Sequence, residues 1–157
     1  MSNAVEVIAI PAQAIAYLPA HGSVRSLDEP FADLMRGLAE AGLTPAGPPM
    51  ARFDLDLRDP DDADFEVAVP IELAADGSVP DGAGDVGTAM LPAHYALVTI
   101  HEGPYHEIGA GYTALTEELN SLGYAVTGPA SEVYLTGSAD GVPPADYVTE
   151  VRVPIAR

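Results

Sequence analysis

One carboxylate stands out in this sequence for the company it keeps. Glu132 lies in the stretch SEVYLT, flanked by Val133 and two residues before Tyr134. On an extended strand, side chains two apart share a face, so Glu132 and Tyr134 point the same way. A carboxylate on an apolar, aromatic-lined face is costly unless paired, and a lipophilic cation would supply the pair. The competing reading is a strand glutamate that faces solvent. Tyr17, Tyr105, Tyr112, Tyr134 and Tyr147 offer aromatic faces suited to cation–π and stacking contacts. Tyr112 falls at a helix core position, where plain packing is the simpler assignment. Tyr105 follows Gly103-Pro104, which suits either packing or the rim of a pocket.

Other chemistries find less support. The histidines His21, His94, His101 and His106 include two in HEGPYHE, but Gly103-Pro104 breaks the helix that a paired-histidine metal motif requires. The acidic run RDPDDAD places Ala63 and Pro70 where a calcium loop needs ligands, so it reads as a solvated loop. No phosphate-binding glycine loop and no nucleophile elbow is present. The chain has no cysteine, which excludes disulfides, thiolate nucleophiles and cysteine-ligated metal. No metal and no cofactor is therefore expected.

Composition narrows the partners. With 24 acidic against 6 basic residues the formal net charge is −18. A field of that sign repels phosphate backbones and favours cationic ligands or basic partners, so direct nucleic-acid binding is not expected. No apolar run reaches the roughly 20 residues of a spanning helix, and the N-terminal stretch lacks a basic segment. The reading is a cytoplasmic chain with no membrane association.

The elements that would position Glu132 follow from periodicity. Residues 5–18 are β-branched and apolar, with Pro11 marking an edge or a bulge. A helix is predicted over 27–41, where Leu27, Phe31, Leu34, Leu38 and Ala41 share a face, with Ser26 or Asp28 as cap and Gly42 as stop. Strands are predicted over 51–57, which carries Phe53, Leu55 and Leu57 on one side, and over 65–73. Residues 74–87 lack a hydrophobic period and read as a linker. Then come strands over 88–91 and 94–101, and a helix over 106–122 burying Ile108, Tyr112, Leu115, Leu119 and Leu122. Gly123 stops that helix, and strands over 131–136 and 147–155 flank a loop at 137–146.

The two halves repeat one another. A shift of 81 positions aligns Gly22 with Gly103, Phe31 with Tyr112, Leu34 with Leu115, Leu38 with Leu119, Gly42 with Gly123 and Phe53 with Tyr134, without a gap. After a loop three residues longer, FEVAVPI at 65–71 meets TEVRVPI at 149–155. Each β-α-β-β unit presents an apolar face that needs a cover. Ala51 is the partner of Glu132, so the duplication itself does not demand a carboxylate there. Glu66 and Glu150 are equivalent, which argues for a structural role for both.

Duplicated β-α-β-β units, GPY entering the second helix, GYAVTGPASEVY after it and TEVRVPI at the end resemble the GyrI-like effector-binding domain family. That family includes the ligand-binding halves of MerR-type and AraC-type multidrug regulators and the gyrase inhibitor SbmC. The resemblance spans essentially the whole chain and is stronger in the second half. It implies an α+β fold of pseudo-two-fold symmetry: one domain over 1–157, repeat one at about 5–73, repeat two at about 88–157. An antiparallel sheet, two main helices and a ligand cleft between the halves would complete it. The SOUL haem-binding family shares this fold, but its particular signals are missing. The resemblance also implies a role for Glu132 as anionic anchor for a hydrophobic cation, with Tyr134 and Tyr147 at positions that line the family's pocket; Tyr105, Tyr17 and Phe53 are further candidate ligand-binding residues by type. Two alternatives come with the family: a hydrolase of cyclopropane-bearing compounds, and a gyrase-inhibitor-like module that binds a protein. A transcriptional role would require a protein partner.

Overall fold

A computed structural model describes residues 4–137 and 140–156. Residues 138 and 139 of the predicted 137–146 loop lie outside the described set. The chain forms an α+β fold of antiparallel strands and two principal helices. Its contacts divide it into two compact units: residues up to Ile10 together with those from His94 onward, and Pro11–Ala93 between them.

The second unit in chain order, here the C-terminal unit, contains Glu132. Its sheet runs β1 (Val5–Ile10), β6 (His94–Glu102), β9 (Val148–Ala156) and β8 (Ala130–Thr136), all antiparallel. The two-residue strand β7 (Ala125–Val126) also pairs with β9. Helix α2 (Gly109–Leu122) packs on β6, β1 and β9. The inner unit has the same plan. Its sheet runs β5 (Gly87–Leu91), β2 (Gln13–Gly22), β4 (Ala63–Pro70) and β3 (Met50–Phe53), with α1 (Asp28–Ala41) packed on β2 and β4.

The registers carry the duplication down to single residues. Ile15 faces Pro70, and their counterparts Ala96 and Pro154 face each other. Ala51 faces Val67, as Glu132 faces Val151. Ala14 faces Met90, as Ala9 faces Tyr95. In that last pair the copies trade strands: β1, from the first copy, completes the C-terminal unit, while β5, from the second, completes the inner one. Pro11 and Ala12 separate β1 from β2, so the predicted 5–18 strand is two strands with different partners. Proline lacks the N–H that a continuous ladder would need, and the chain passes from one unit to the other at that point.

The helices follow their apolar period. Leu34 and Leu38 of α1, and Leu115 and Leu119 of α2, are buried. Both helices end on a glycine at φ 70°, Gly42 and Gly123, where the left-handed conformation costs a glycine no Cβ clash. Three details depart from expectation. Leu27 occupies the N-cap of α1 with no side-chain bond, so neither Ser26 nor Asp28 caps it; Asp28 and Glu29 instead put negative charge in its first turn. Leu122, in the last turn of α2, is exposed, since the register of the buried stripe ends one turn earlier. Strand β3 stops at Phe53 because the Leu57 N–H closes a turn on the Asp54 carbonyl, which takes Leu55 and Leu57 out of the ladder. Among the described residues, no helix is long and apolar enough to cross a membrane.

Candidate functional site

The face of the C-terminal sheet that α2 covers can be read row by row from the strand registers. Tyr134, Thr149 and His101 are cross-strand neighbours on β8, β9 and β6. The next row holds Glu132, Val151 and Thr99, and the one beyond it Val153 and Leu97. Residues opposite one another in a ladder project to the same side, so polarity rises along this face from Leu97 towards His101.

Glu132 is completely buried, which excludes the solvent-facing reading. Its carboxylate is held by two phenols: the Tyr112 hydroxyl, reaching down from α2, donates to Oε2, and the Tyr134 hydroxyl donates to Oε1 at 3.0 Å. A carboxylate taken out of water needs donors in place of its hydration, and phenolic hydroxyls are strong donors to it. Strand pairing on β9 and the i, i+2 repeat of β8 set Glu132 and Tyr134 side by side. The helix supplies Tyr112 from one turn beyond Ile108.

Around this pair the aromatics are layered. Tyr105, in a 3₁₀ turn after Pro104, stacks on Tyr147 with ring centres 4.9 Å apart and meets Tyr134 edge-on at 5.5 Å. The Gly103 N–H bonds the Tyr147 carbonyl at 2.8 Å, which ties the turn to the start of β9. A Cβ at Gly137 would stand 2.6 Å from the Tyr105 hydroxyl oxygen, so glycine is what lets the ring lie there. Four of the sequence-derived residues, Glu132, Tyr134, Tyr105 and Tyr147, thus come together in one unit.

Tyr17 and Phe53 belong to the inner unit. There the registers put Tyr17 on the face of Ala68, Met50 and Glu66, and Phe53 on the opposite face with Ala51 and Val67. Glu66 and Glu150 are both ion-paired, Glu66 to Arg52 at 2.6 Å and Glu150 to Arg152. The two arginines come from non-equivalent positions, so the copies arrived at the same neutralisation separately. The inner unit also contains a cavity of about 660 Å³ at the start of α1, bordered by Ala20, His21, Arg25, Asp28 and Phe65; its lining shares no residue with the carboxylate–tyrosine cluster.

Tyr112 was not legible as more than a packing residue, because its copy is Phe31. A signal was nonetheless present. Among the positions where the second copy adds polarity are Phe31 to Tyr112, Ala51 to Glu132 and Phe53 to Tyr134, and the fold brings these three into one hydrogen-bonded cluster.

The C-terminal unit thus holds a buried acid bonded by two tyrosine hydroxyls within a duplicated α+β fold. The family model for the GyrI-like small molecule binding domain matches residues 4–156, and the chain belongs to that family. No curated protein matches the sequence. Among solved structures, the C-terminal domain of EcmrR superposes with a TM-score of 0.86 at 19% identity, covering 100% of this chain and 99% of that one. A hydrolase encoded by lin2189 of Listeria innocua gives 0.72 at 12% identity, over 99% of this chain and 93% of that one. SAV2435 bound to tetraphenylphosphonium gives 0.58 at 12%, over 98% and 94%. At these identities the likeness is one of fold.

Proposed function

We propose that this domain binds a hydrophobic cation on the α2-covered face of its C-terminal unit. Glu132 supplies the countercharge, and Tyr134, Tyr105, Tyr112 and Tyr147 supply the walls. The observation that carries this reading is a fully buried carboxylate whose hydrogen-bonding partners include two tyrosine hydroxyls. A cation that reached it would replace neutral donors by a full charge in a setting of low dielectric, where pairing is strong. Tetraphenylphosphonium on a related fold makes such a ligand reasonable. Because Glu132 and Tyr134 are buried, entry requires the half-exposed Tyr112 or Tyr105 to move.

Calorimetric titration with tetraphenylphosphonium, wild type beside Glu132→Gln, tests this. Micromolar binding that falls at least ~10-fold in the variant, about 1.4 kcal/mol, is the expected result. Equal affinities would remove Glu132 from the site.

The bond between the Tyr112 hydroxyl and Glu132 also favours a second reading, hydrolysis. A carboxylate and a phenol in direct contact can pass a proton to and from a reacting water. Turnover of a reactive substrate that is lost in both Glu132→Gln and Tyr112→Phe would select it over binding alone.

A further inference from the structure

Building on the cation-binding reading, we infer that Thr149 is a ligand-contacting residue that selects cations bearing N–H groups over those without. Thr149 is completely buried, and among the described residues its hydroxyl is the buried side-chain oxygen that has no hydrogen-bond partner. Buried hydroxyls are normally satisfied, and leaving one unmade is unfavourable. This sheet face can satisfy a threonine: Thr99, on the neighbouring row and equally buried, donates to the Ala4 carbonyl at 2.7 Å. Thr149 has the same chemistry without the partner.

Its position says what the partner would be. Thr149 sits between Tyr134 and His101 in the register and diagonal to Glu132, a separation of roughly 7–8 Å between backbones with side chains that can converge. His101, on the far side of Thr149 from Tyr134, is already engaged: a carbonyl only accepts, so its Nε2 donates to the Pro104 carbonyl at 2.8 Å. A cation seated against Glu132 therefore meets a further acceptor on the next row, the Thr149 hydroxyl oxygen. Quaternary onium ions have nothing to offer it. A protonated amine or an amidinium does.

The duplication supports this assignment independently. Thr149 and His101 stand where the first copy has Phe65 and Ala20, so both belong with Tyr112, Glu132 and Tyr134 among the polar changes confined to the second copy. In the inner unit, the counterparts Ala20 and Phe65 border the 660 Å³ cavity.

The test uses Thr149→Val and Thr149→Ser with two probes, tetraphenylphosphonium and 4-phenylbenzamidinium, by calorimetry, alongside thermal unfolding. Valine should lower the affinity for the amidinium relative to the phosphonium by at least ~5-fold, and serine should restore the ratio. Since valine removes an unpartnered buried hydroxyl, its unfolding midpoint should hold or rise by about 2–4 °C. A midpoint that drops would show the hydroxyl to be structural and overturn the inference. So would an unchanged affinity ratio with intact binding, an outcome that leaves the role of Glu132 standing. If wild type bound neither probe, the cation reading would fail and this inference with it.

Discussion

Reverting the Tyr112–Glu132 pair to its counterpart in the first copy, Phe31–Ala51, gives a direct measure of what the cluster is worth. Tyr112→Phe removes a donor from a buried carboxylate whose other oxygen is held by Tyr134 at 3.0 Å. Hydrogen bonds to a charged group contribute about 1.5–3 kcal/mol, so the single variant should lose about that much stability. For a chain of this size that corresponds to a fall of about 3–12 °C in unfolding midpoint, at 2–4 °C per kcal/mol. Glu132→Ala leaves the Tyr112 and Tyr134 hydroxyls without this acceptor, but it also removes a desolvated charge. Once the carboxylate is gone, Tyr112→Phe should cost little, because its phenol no longer has a charge to serve. The double-mutant cycle, read by urea unfolding of all four proteins, should therefore show a coupling of at least about 1 kcal/mol. Additivity to within about 0.5 kcal/mol would refute the argument that these two side chains form one energetic unit.

Three further outcomes are expected. His21 bonds Asp64 at 2.7 Å and Asp62 at 2.6 Å, and these bonds, the Asp64 one first, hold its pKa above the ordinary 6.5. The proton is thus bound more tightly in the folded chain, so the associated stabilisation is complete below about pH 6.5 and fades as pH rises through the higher folded value; NMR titration of the ring should show that raised midpoint, and Asp64→Asn should lower it. Gly137→Ala would put a methyl 2.6 Å from the Tyr105 hydroxyl oxygen. Because that oxygen ends a movable side chain, the fold should survive while tyrosine fluorescence and cation affinity both change. Arg52→Ala strips the partner from Glu66, whose side chain is 27% exposed, and should cost about 1–3 kcal/mol in urea unfolding, with Glu66→Gln in the same background recovering part of the loss.

Much of the architecture was readable from local chemistry. The 3.6-residue stripes of α1 and α2, the glycine stops at Gly42 and Gly123, and the gapless shift of 81 positions identify two copies of one unit, and the strand registers match residue by residue once the last strand is shifted by 84 for the longer loop. The failures were also physical. The 5–18 stretch was continuous in hydropathy, yet Pro11 divides it into two strands with different partners, a choice made far away in the chain. Leu55 and Leu57 alternate as a strand would, but the Asp54 turn decides their fate.

For the site, the sequence alone placed Glu132 and Tyr134 on one face, since strand periodicity is a local property. Which side of the sheet that face occupies, and whether it is wet, are not local. Tertiary packing buried Glu132, brought Tyr112 down from α2 onto its carboxylate, and set Tyr105 between Tyr147 and Tyr134. It also separated Tyr17 and Phe53 onto opposite faces of the inner sheet, although both were plausible pocket residues by type. The reason is that residue type and periodicity determine what a side chain can do and which way it points from its own strand. Only the pairing of strands and the seating of a helix determine what it meets.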